Sequence, residues 1–523
     1  MELGVATHFS HDWPTYVVEA LEQHGVSNIR DGYYWSEVEK EAGVYNFPDK
    51  RSDSVLKAAN KSIKPLIVLG FDNKFYDQGF APYTDAGRKA FANYCVEVIS
   101  NGNGKIEAVE IWNEYNGAFA KGVATNDRAY YYTLMLKEAY AAIKKAHPQV
   151  TVVGASTVFI PLPFMKKLFD HDALKYMDAI SVHPYRGVPE GIDAEVSNLK
   201  ELMASYGHDK PIWVTEFGEI GEYGEPNDQA ASPHYLLKIV SQMSSSHVQK
   251  AYWYSFMDSE GFKMGLTDSD LDPKPVMATF KMLNETLLPQ GNAVRQNFGD
   301  NRTFLYHYPS DYSVLWGYKV PIKLSGNYTA LDATGKLATV PKLLNGEPLV
   351  IKGQFSISRD PSKLIADTFL DFQQPGWSYY GETQDGKLTP LVEHSNDWGT
   401  FLSHSGFNQM GVSAHRAHPG WEDGPVAVVE RFTVPNDTVA VINGEWETST
   451  KGDGVEVSIR VSGKTIWNYT SGGKYTFSDI VVNLHAGDTL DFIIGPNKDL
   501  NWDVTYPRFQ VVSIDNTQLK QAD

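Results

Sequence analysis

The sequence predicts an α/β protein, a (β/α)8 TIM barrel followed by β-sheet domains. Short apolar strands alternate with amphipathic helices over residues 1–290, and eight such units can be counted. This alternation is typical of a parallel sheet, and a barrel of this kind takes about 250 residues plus insertions. A doubly wound open sheet is the alternative. It more often carries a glycine-rich phosphate turn, and neither G-x-G-x-x-G nor a P-loop motif is present in the sequence.

The eight predicted strands are short and apolar, and polar residues follow most of them. They lie at 2–9, 26–35, 64–73, 106–112, 149–157, 177–185, 210–218 and 248–256. The C-terminal ends of all strands of a (β/α)8 barrel meet at one face. Polar side chains at these ends are therefore expected to line one common site.

The predicted helices are recognised by apolar residues at helical spacing and by their end signals. Pro14 suits a first helical turn, and the long helix that starts at Asp127 ends before Pro148. The helices are expected at 14–24, 53–61, 85–100, 127–146, 162–169, 194–206, 228–245 and 275–287.

The helical pattern stops near residue 290, and strand-like alternation with glycine turns continues to the end. We expect a barrel at 1–290, a small β-domain packed on it at 291–365, and a β-sandwich of jelly-roll type at 366–523. A chain of 523 residues is long enough for two or three domains.

The composition excludes several classes of partner. The formal net charge is −18, whereas nucleic acids and anionic membrane surfaces require a basic footprint, so we predict neither partner. No apolar run is long enough to span a membrane.

Cys95 is the only cysteine, which excludes an intrachain disulfide and a cysteine-rich metal site. Aromatic residues make up 13% of the chain, and such rings suit both sugar faces and β-domain cores.

Two strand ends carry a carboxylate that packing alone does not explain. Asn113 and Glu114 follow one strand in IEAVEIWNEYNG, and Glu216 ends another in KPIWVTEFG. A carboxylate placed there is costly unless it is solvated, paired or used in chemistry. No metal-ligand spacing and no G-x-S-x-G motif is found, so we predict no metal site. The other polar or aromatic residues at strand ends are His8, Arg30, Asp72, His183, Tyr185 and Trp253.

Two opposed carboxyl groups are what cleavage of a glycosidic bond requires. One protonates the leaving oxygen, and the other attacks the anomeric carbon or activates water. A separation of about 5–5.5 Å retains the configuration and one of about 6.5–9.5 Å inverts it. A salt-bridge network at the barrel mouth is the alternative explanation for Glu114, Glu216 and Arg30, and the histidine and aromatic candidates also suit a core.

These motifs resemble those of clan A glycoside hydrolases, and most of all family 39 and related bacterial exopolysaccharide hydrolases. In that clan an Asn-Glu pair ends the fourth strand, as in WNEYNG, and a glutamate ends the seventh, as in WVTEFG. The resemblance covers about residues 1–290 in order and spacing. The remaining matches are an arginine after the second strand, an H-x-Y motif on the sixth and a tryptophan on the eighth: Arg30, His183, Tyr185 and Trp253.

The resemblance implies a retaining double displacement on a poly- or oligosaccharide, without an organic cofactor. Glu216 would be the nucleophile, oriented by Tyr185 and kept ionised by Arg30. Glu114 would be the acid and then the base, and would carry a proton at the start. The implied substrate-binding residues are Arg30, Asn113 at the 2-hydroxyl, His183, Tyr185 and Trp253 as the floor under the cleaved sugar, with His8 and Asp72 as subsite candidates.

Other classes of function stay open at this point. One is a non-catalytic glycan-binding protein on a hydrolase scaffold, and another is a barrel lyase or metal-dependent enzyme. No signal peptide is recognisable, because 2–9 already has the pattern of a strand. We nevertheless expect an enzyme of this kind to be secreted or attached to the cell surface.

The C-terminal half and two acidic loops offer weaker signals. Exposed rings would make the sandwich a carbohydrate-binding module, whereas buried rings would make it structural. Asp499, Asn501 and Asp503 have oxygens that suit calcium, but alternating polar residues are common in loops. The acidic residues that follow Glu216 and Trp253 are expected to be solvated: Glu219, Glu222, Glu225, Asp258, Glu260, Asp268 and Asp270.

Overall fold

The N-terminal part of the chain is a closed parallel barrel of eight strands, which confirms the predicted fold class. The computed structural model describes residues 1–47, 49–219, 232–259 and 263–514, without the side chains of 49–53. The strands follow one another around the barrel in chain order, and the eighth pairs with the first. They are β1 Glu2–Ala6, β2 Asn28–Tyr34, β3 Lys64–Gly70, β4 Ala108–Ile111, β5 Thr151–Val158, β6 Ala179–His183, β7 Ile212–Phe217 and β8 Lys250–Trp253.

Helices connect the strands, and several begin at the polar caps that the sequence offers. The side chains of Thr84, Asp127 and Ser232 each accept a hydrogen bond from a backbone N–H in the first turn. In the described part of the chain, no helix is long and apolar enough to cross a membrane. The α-helices are α1 Val17–Gln23, α2 Trp35–Val38, α3 Asp49–Asn60, α4 Asp85–Asn101, α5 Arg128–Ala146, α6 Leu162–Asp170, α7 Ile192–Ser205, α8 Pro233–Ser245 and α9 Pro275–Met282.

One helix changes its type within its predicted span, and one observed helix has no counterpart among the predicted helices. The final helix changes to a π-helical turn at Leu283–Leu287, within the predicted span. The short α2, which begins at Trp35 directly after β2, was not predicted, because one turn is too short to show an apolar period.

Alternation of side chains across the strands separates two cores. One residue from each of β3 to β8 forms a small cluster inside the barrel, whereas the residues between them pack outward against the helices. The inner cluster consists of Leu66, Ala108, Val153, Ala179, Trp213 and Tyr252. Residues two positions further along these strands point to the same side, towards the mouth of the barrel.

Three antiparallel sheets follow the barrel, so the predicted β-sheet domains are present. The first sheet contains β9 Val294–Gln296, β10 Thr303–His307, β11 Tyr312–Leu331, β12 Leu343–Asn345 and β13 Leu349–Arg359. The second contains β14 Leu364–Asp367, β17 Val392–Asn396, β18 Gly399–Ser403, β19 Gly411–Ser413, β20 Arg416–His418, β23 Thr438–Thr448, β26 Gly473–Leu484 and β28 Thr505–Ser513. The third contains β15 Trp377–Thr383, β16 Leu388–Pro390, β21 Gly420–Trp421, β22 Pro425–Thr433, β24 Val455–Val461, β25 Lys464–Ser471 and β27 Thr489–Pro496.

The second and third sheets share one hydrophobic core and form a β-sandwich. Phe492 of β27 stacks on Phe509 of β28, with ring centroids 4.9 Å apart. The division expected at residue 365 falls inside β14, which pairs with β28 of the sandwich.

The barrel, the first sheet and the sandwich meet at one buried carboxylate. Glu190, which precedes α7, is 2% exposed, and its Oε1 accepts hydrogen bonds from Trp316 Nε1 at 2.9 Å and from Tyr318 Oη at 2.6 Å. Lys238 Nζ on α8 lies 3.3 Å from the same oxygen. The guanidinium of Arg508 on β28 lies 4.1 Å from the centroid of the Tyr318 ring. The three parts of the chain are therefore joined through one polar cluster.

Loss of this carboxylate is expected to destabilise the protein strongly. Glu190→Ala leaves Lys238 buried without its counter-ion, which typically lowers the free energy of unfolding by about 3–5 kcal/mol. Glu190→Gln retains an accepting oxygen and is expected to lose less. Urea denaturation followed by tryptophan fluorescence measures both changes. Glu347→Ala, at an exposed position, is the control and should stay within about 0.5 kcal/mol. Equal effects of the two alanine variants would contradict this role of Glu190.

Candidate active site

Arg30 on β2 connects the polar residues at the mouth of the barrel. Its Nε donates to Glu110 Oε2 at 2.7 Å, its Nη1 to Glu216 Oε1 at 2.5 Å, and its Nη2 to Asn113 Oδ1 at 2.8 Å. The planar guanidinium thus binds three acceptors from two other strand ends, which an ammonium group could not do in one plane. Arg30 is buried, so these bonds are shielded from water.

Glu216 is held as an ionised carboxylate. Its second oxygen accepts a hydrogen bond from Tyr185 Oη at 2.6 Å. Burial alone would raise the pKa of Glu216, but the nearby charges of His183 and Arg30 and the Tyr185 hydrogen bond hold that pKa below its usual range. Both oxygens therefore have fixed partners, and the side chain has a defined orientation.

His183 on β6 lies between the two candidate glutamates and the barrel interior. Its Nδ1 is 3.0 Å from Glu114 Oε1, and its Nε2 is 3.0 Å from Thr215 Oγ1, which donates to Glu110 Oε1 at 2.7 Å. Burial would lower the pKa of His183, but Glu216, Glu110 and Glu114 raise it to about 9. At neutral pH both ring nitrogens are therefore protonated and donate hydrogen bonds.

Glu110 provides the buried counter-charge beneath the site. It is fully buried and bonded to Arg30 and Thr215. Burial raises the pKa of an isolated carboxyl group, but the adjacent Arg30 and the nearby charge of His183 hold the pKa of Glu110 well below its usual range. The anion thus compensates the two cations around it.

Glu114 lies at a distorted end of β4. Trp112 and Glu114 both have positive φ angles, of 68° and 45°, which non-glycine residues adopt infrequently and mostly where the surrounding structure enforces them. Asn116 fixes the following loop, since its side chain exchanges two hydrogen bonds with the backbone of Val158 at the end of β5. As a result, one oxygen of Glu114, one of Glu216 and a ring nitrogen of His183 all lie within 4.8 Å of one another.

This Glu-His-Glu cluster has the spacing of a metal-ligand set, but its charges do not suit a metal ion. A histidine must lose its proton to bind a metal, and the raised pKa of His183 opposes this loss. Arg30 already occupies Glu216 Oε1 with a positive charge. The cluster is better suited to proton transfer and nucleophilic chemistry than to metal binding.

The structure brings six of the nine predicted site residues into one bonded network and leaves three outside it. The six are Arg30, Asn113, Glu114, His183, Tyr185 and Glu216. Asp72 is half-buried, and no hydrogen bond or ion pair joins its side chain to this network within the described residues. His8 lies beside the network, with its ring centroid 5.0 Å from that of Tyr254. Burial, aided by His11, lowers the pKa of His8 to about 4, so it is neutral at pH 7.

Trp253 does not occupy its predicted place. It is completely buried, its Nε1 donates to the carbonyl of Met264 at 2.8 Å, and its ring packs edge-on against Phe217. In this structure it therefore cannot be the floor under a sugar. Tyr252 points into the barrel, so the next position on that side is Tyr254, a half-buried ring 6.1 Å from the ring of Tyr185.

Three participants were missed from the sequence. Glu110 and Thr215 lie within apolar strands, and a charged residue in the middle of VEIW was the available signal for the first. Tyr254 would have been found by applying the two-residue period along β8. In contrast, nothing in the sequence marks Thr215 as the link between His183 and Glu110.

The acidic loops and the C-terminal rings have several different environments. Glu222, Glu225 and Glu260 lie outside the described residues. Asp258 is not a free surface residue, since it pairs with Lys274 at 2.6 Å. Among the tryptophans of the sandwich, Trp446 is buried, whereas Trp398, Trp421 and Trp502 are exposed.

Comparison with known proteins gives a family-model match and several structures of similar fold. Residues 81–280 match the family model of the glycosyl hydrolase catalytic core. The chain resembles a clan A glycoside hydrolase. The match includes both Glu114 and Glu216. Solved structures with a similar fold include enzymes of family 39, the family that the motifs resemble.

One similar structure is a family 39 glycoside hydrolase from Bacteroides cellulosilyticus WH2. Its TM-score is 0.56, at 21% identity over 68% of this chain and 81% of that chain. The GH39 enzyme from Xanthomonas axonopodis pv. citri has a TM-score of 0.47, at 13% identity over 95% of this chain and 94% of that one. No curated protein sequence matches the chain. At these identities the similarity concerns the fold.

The charge on His183 gives a testable dependence of stability on pH. Its pKa of about 9 in the folded protein lies above the ordinary value of 6.5. The resulting stabilisation is fully present below pH 6.5 and is lost as the pH rises through about 9. Since one pKa unit corresponds to about 1.4 kcal/mol, the loss is expected to be about 3 kcal/mol. The measurement is the free energy of unfolding between pH 6 and 10, determined at intervals of about one pH unit.

His183→Gln should reduce this pH dependence, because glutamine does not titrate. His485→Gln is the matched control, since His485 is exposed and lies far along the chain in the sandwich. An unchanged slope in His183→Gln would show that another group is responsible.

Proposed function

We propose that the protein is a retaining glycoside hydrolase that cleaves a poly- or oligosaccharide by double displacement. The observation that carries this proposal is the approach of Glu114 and Glu216 oxygens to within 4.8 Å. An inverting enzyme needs about 6.5–9.5 Å between its carboxyl groups to accommodate water, whereas a retaining enzyme has about 5–5.5 Å. The short separation supports the retaining route.

In the first step of the proposed reaction, Glu216 attacks the anomeric carbon. A glycosyl–oxygen bond to Glu216 forms while the bond to the leaving oxygen breaks, and that oxygen takes the proton of Glu114. Tyr185 and Arg30 each hold one oxygen of Glu216. The nucleophile is thereby oriented before the substrate arrives, which lowers the entropic part of the barrier.

In the second step, Glu114 acts as a base towards water, which attacks the anomeric carbon and releases Glu216. Once Glu216 is esterified, its negative charge is gone, while protonated His183 remains beside Glu114. Having given its proton to the leaving oxygen in the first step, Glu114 is then the carboxylate that accepts a proton from water.

Asn113 supplies a donor for the substrate. Its Oδ1 is fixed by Arg30, and its Nδ2 has no hydrogen-bond partner among the described residues. Because the guanidinium of Arg30 holds Oδ1, the Nδ2–H group of Asn113 is directed towards the cleft where the sugar would bind. A hydrogen bond to the 2-hydroxyl of the cleaved sugar is the role that this donor fits, because such a bond strengthens in the transition state.

The two glutamates are expected to respond differently to substitution. Glu216→Ala should abolish hydrolysis, and azide should restore turnover with inverted product by entering the space of the lost carboxylate. Glu114→Ala should lose much less activity on aryl glycosides with good leaving groups than on oligosaccharides, because such groups need little protonation. The measurement is hydrolysis of a panel of aryl glycosides and oligosaccharides, with product configuration followed by NMR.

Glu347→Ala, at an exposed position in the first sheet, is the control for carboxylate loss away from the barrel. Equal losses of Glu114→Ala on both substrate types would refute its role as the acid. Binding of oligosaccharides by the wild type without any release of reducing ends would favour the non-catalytic alternative.

A further inference from the structure

We propose that Trp398 of the C-terminal sandwich is a binding platform for the sugar on the leaving-group side of the scissile bond. This inference rests on the proposed function and adds that the sandwich completes the catalytic cleft. It assigns a substrate-binding role to one ring of the sandwich, and the ligand it takes is the apolar face of a pyranose or furanose ring.

The position of Trp398 beside Glu114 is fixed by geometry at Gly117. A Cβ placed on Gly117 would lie 3.6 Å from Trp398 Cη2 and 3.9 Å from Glu114 Cβ. The edge of the indole ring and the base of the candidate acid therefore both lie within 4 Å of one point. Because Gly117 has no side chain, the ring can approach the loop closely.

The turn that carries Trp398 is held in place from both sides. Asn396 Oδ1 accepts hydrogen bonds from the backbone N–H groups of Trp398 at 2.9 Å and Gly399 at 3.2 Å. Asp397 Oδ1 pairs with Lys167 Nζ on α6 at 2.6 Å. Even so, the Trp398 side chain is 50% exposed. A large ring fixed on a short turn and left open beside a cleft suits stacking on a ligand, since little conformational entropy is lost on binding.

The role of Glu114 as the acid determines on which side of the scissile bond Trp398 lies. Glu114 delivers its proton to the leaving oxygen, so a ring next to Glu114 borders the leaving sugar. Arg30, Asn113 and Tyr185 instead surround Glu216, where the sugar that becomes attached is bound. Phe119, in the same loop as Gly117, is exposed and stacks on Phe71 at 5.2 Å, so this loop carries a further aromatic surface.

Comparison of two substrates isolates this contact. A glycosyl fluoride has a leaving group without a ring, whereas the corresponding disaccharide places a sugar at the proposed platform. Trp398→Ala is expected to lower kcat/KM for the disaccharide about tenfold more than for the fluoride, as loss of a stacked ring predicts. Trp398→Phe, which keeps a ring, should recover most of this difference.

The control is Trp502→Ala, because Trp502 is 52% exposed in the same sandwich and packs on Lys451. It should leave both substrates unchanged. Equal changes on fluoride and disaccharide in Trp398→Ala would overturn the platform, while the proposed function would stand. Failure of the wild type to hydrolyse either substrate would overturn the proposed function itself.

A different observation, in the loops of the sandwich, supports a second inference. We infer that Asp453 and Asp503 bind a divalent cation of the calcium type. Asp503 is fully buried, and neither of its carboxylate oxygens has a hydrogen-bond partner. Asp453 Oδ1 is likewise buried without a partner. Buried carboxylate oxygens are almost always satisfied, and a hard cation with oxygen ligands satisfies several at once.

The charges around these two residues agree with a missing positive partner. The carboxylates of Asp453 and Asp499 lie close enough to Asp503 to repel its charge. Asp453 Oδ2 and Asp499 Oδ1 each accept a backbone hydrogen bond, from Lys498 and Asn501 respectively, so the loops are folded around the carboxylates. A bound cation would remove the repulsion among them.

Thermal unfolding of the EDTA-treated protein tests the cation site. Calcium at about 5 mM is expected to raise Tm by roughly 5 °C if the site has the affinity of extracellular calcium modules. Magnesium should act less, since it needs closer octahedral ligands. Asp503→Asn should lose the calcium response, and Asp437→Asn, at an exposed position, should keep it.

Direct calcium titration of the wild type by calorimetry, with one site expected, covers the case in which Asp503→Asn does not fold. No heat of binding and no shift of Tm in the wild type would overturn the site. An equal calcium response in Asp503→Asn would place the cation elsewhere and overturn it as well.

Discussion

The candidate active site depends on the guanidinium group of Arg30. One guanidinium fixes Glu216, orients Asn113 and balances Glu110, so the positions of three functional groups share one origin. Protonated His183 adds a second cation, bonded towards Glu114 and, through Thr215, towards Glu110. The cations Arg30 and His183 are balanced by the carboxylates of Glu110 and Glu216, which is an arrangement that a buried site can sustain. Rigid strand ends provide the framework that keeps these charges together.

The order of the barrel strands and the two principal glutamates could be predicted from the sequence. Apolar runs of strand length identify the elements, and a lone carboxylate at the end of such a run is conspicuous. The face on which a side chain lies was harder to predict. The sequence shows that β8 is a strand but does not show which of its residues point into the barrel. Because Tyr252 points into the barrel, alternation along the strand directs Tyr254, and not Trp253, towards the cleft. The register shift in β7 between Val214 and Phe217 is also invisible in the sequence.

Contacts between distant parts of the chain could not be predicted, because neither partner carries a sequence pattern that indicates the other. Trp398 lies far along the chain from Gly117, and neither residue carries a pattern that predicts their contact. The same holds for Glu190, whose partners come from α8 and β11. Local periodicity reveals elements, whereas docking between domains depends on shape and on buried polar groups that a single sequence does not relate to one another.

The polar junction at Glu190 also bears on how such a protein evolves. The stack of Arg508 on Tyr318, with Tyr318 bonded to Glu190, joins the last strand of the sandwich to the barrel through the sheet between them. A sandwich attached in this way is not an interchangeable module on a linker. Gene fusion or domain shuffling that replaced it would have to preserve a buried arginine, a tyrosine and a glutamate from three separate regions of the chain. Inheritance of the three parts as one unit is therefore the expected history.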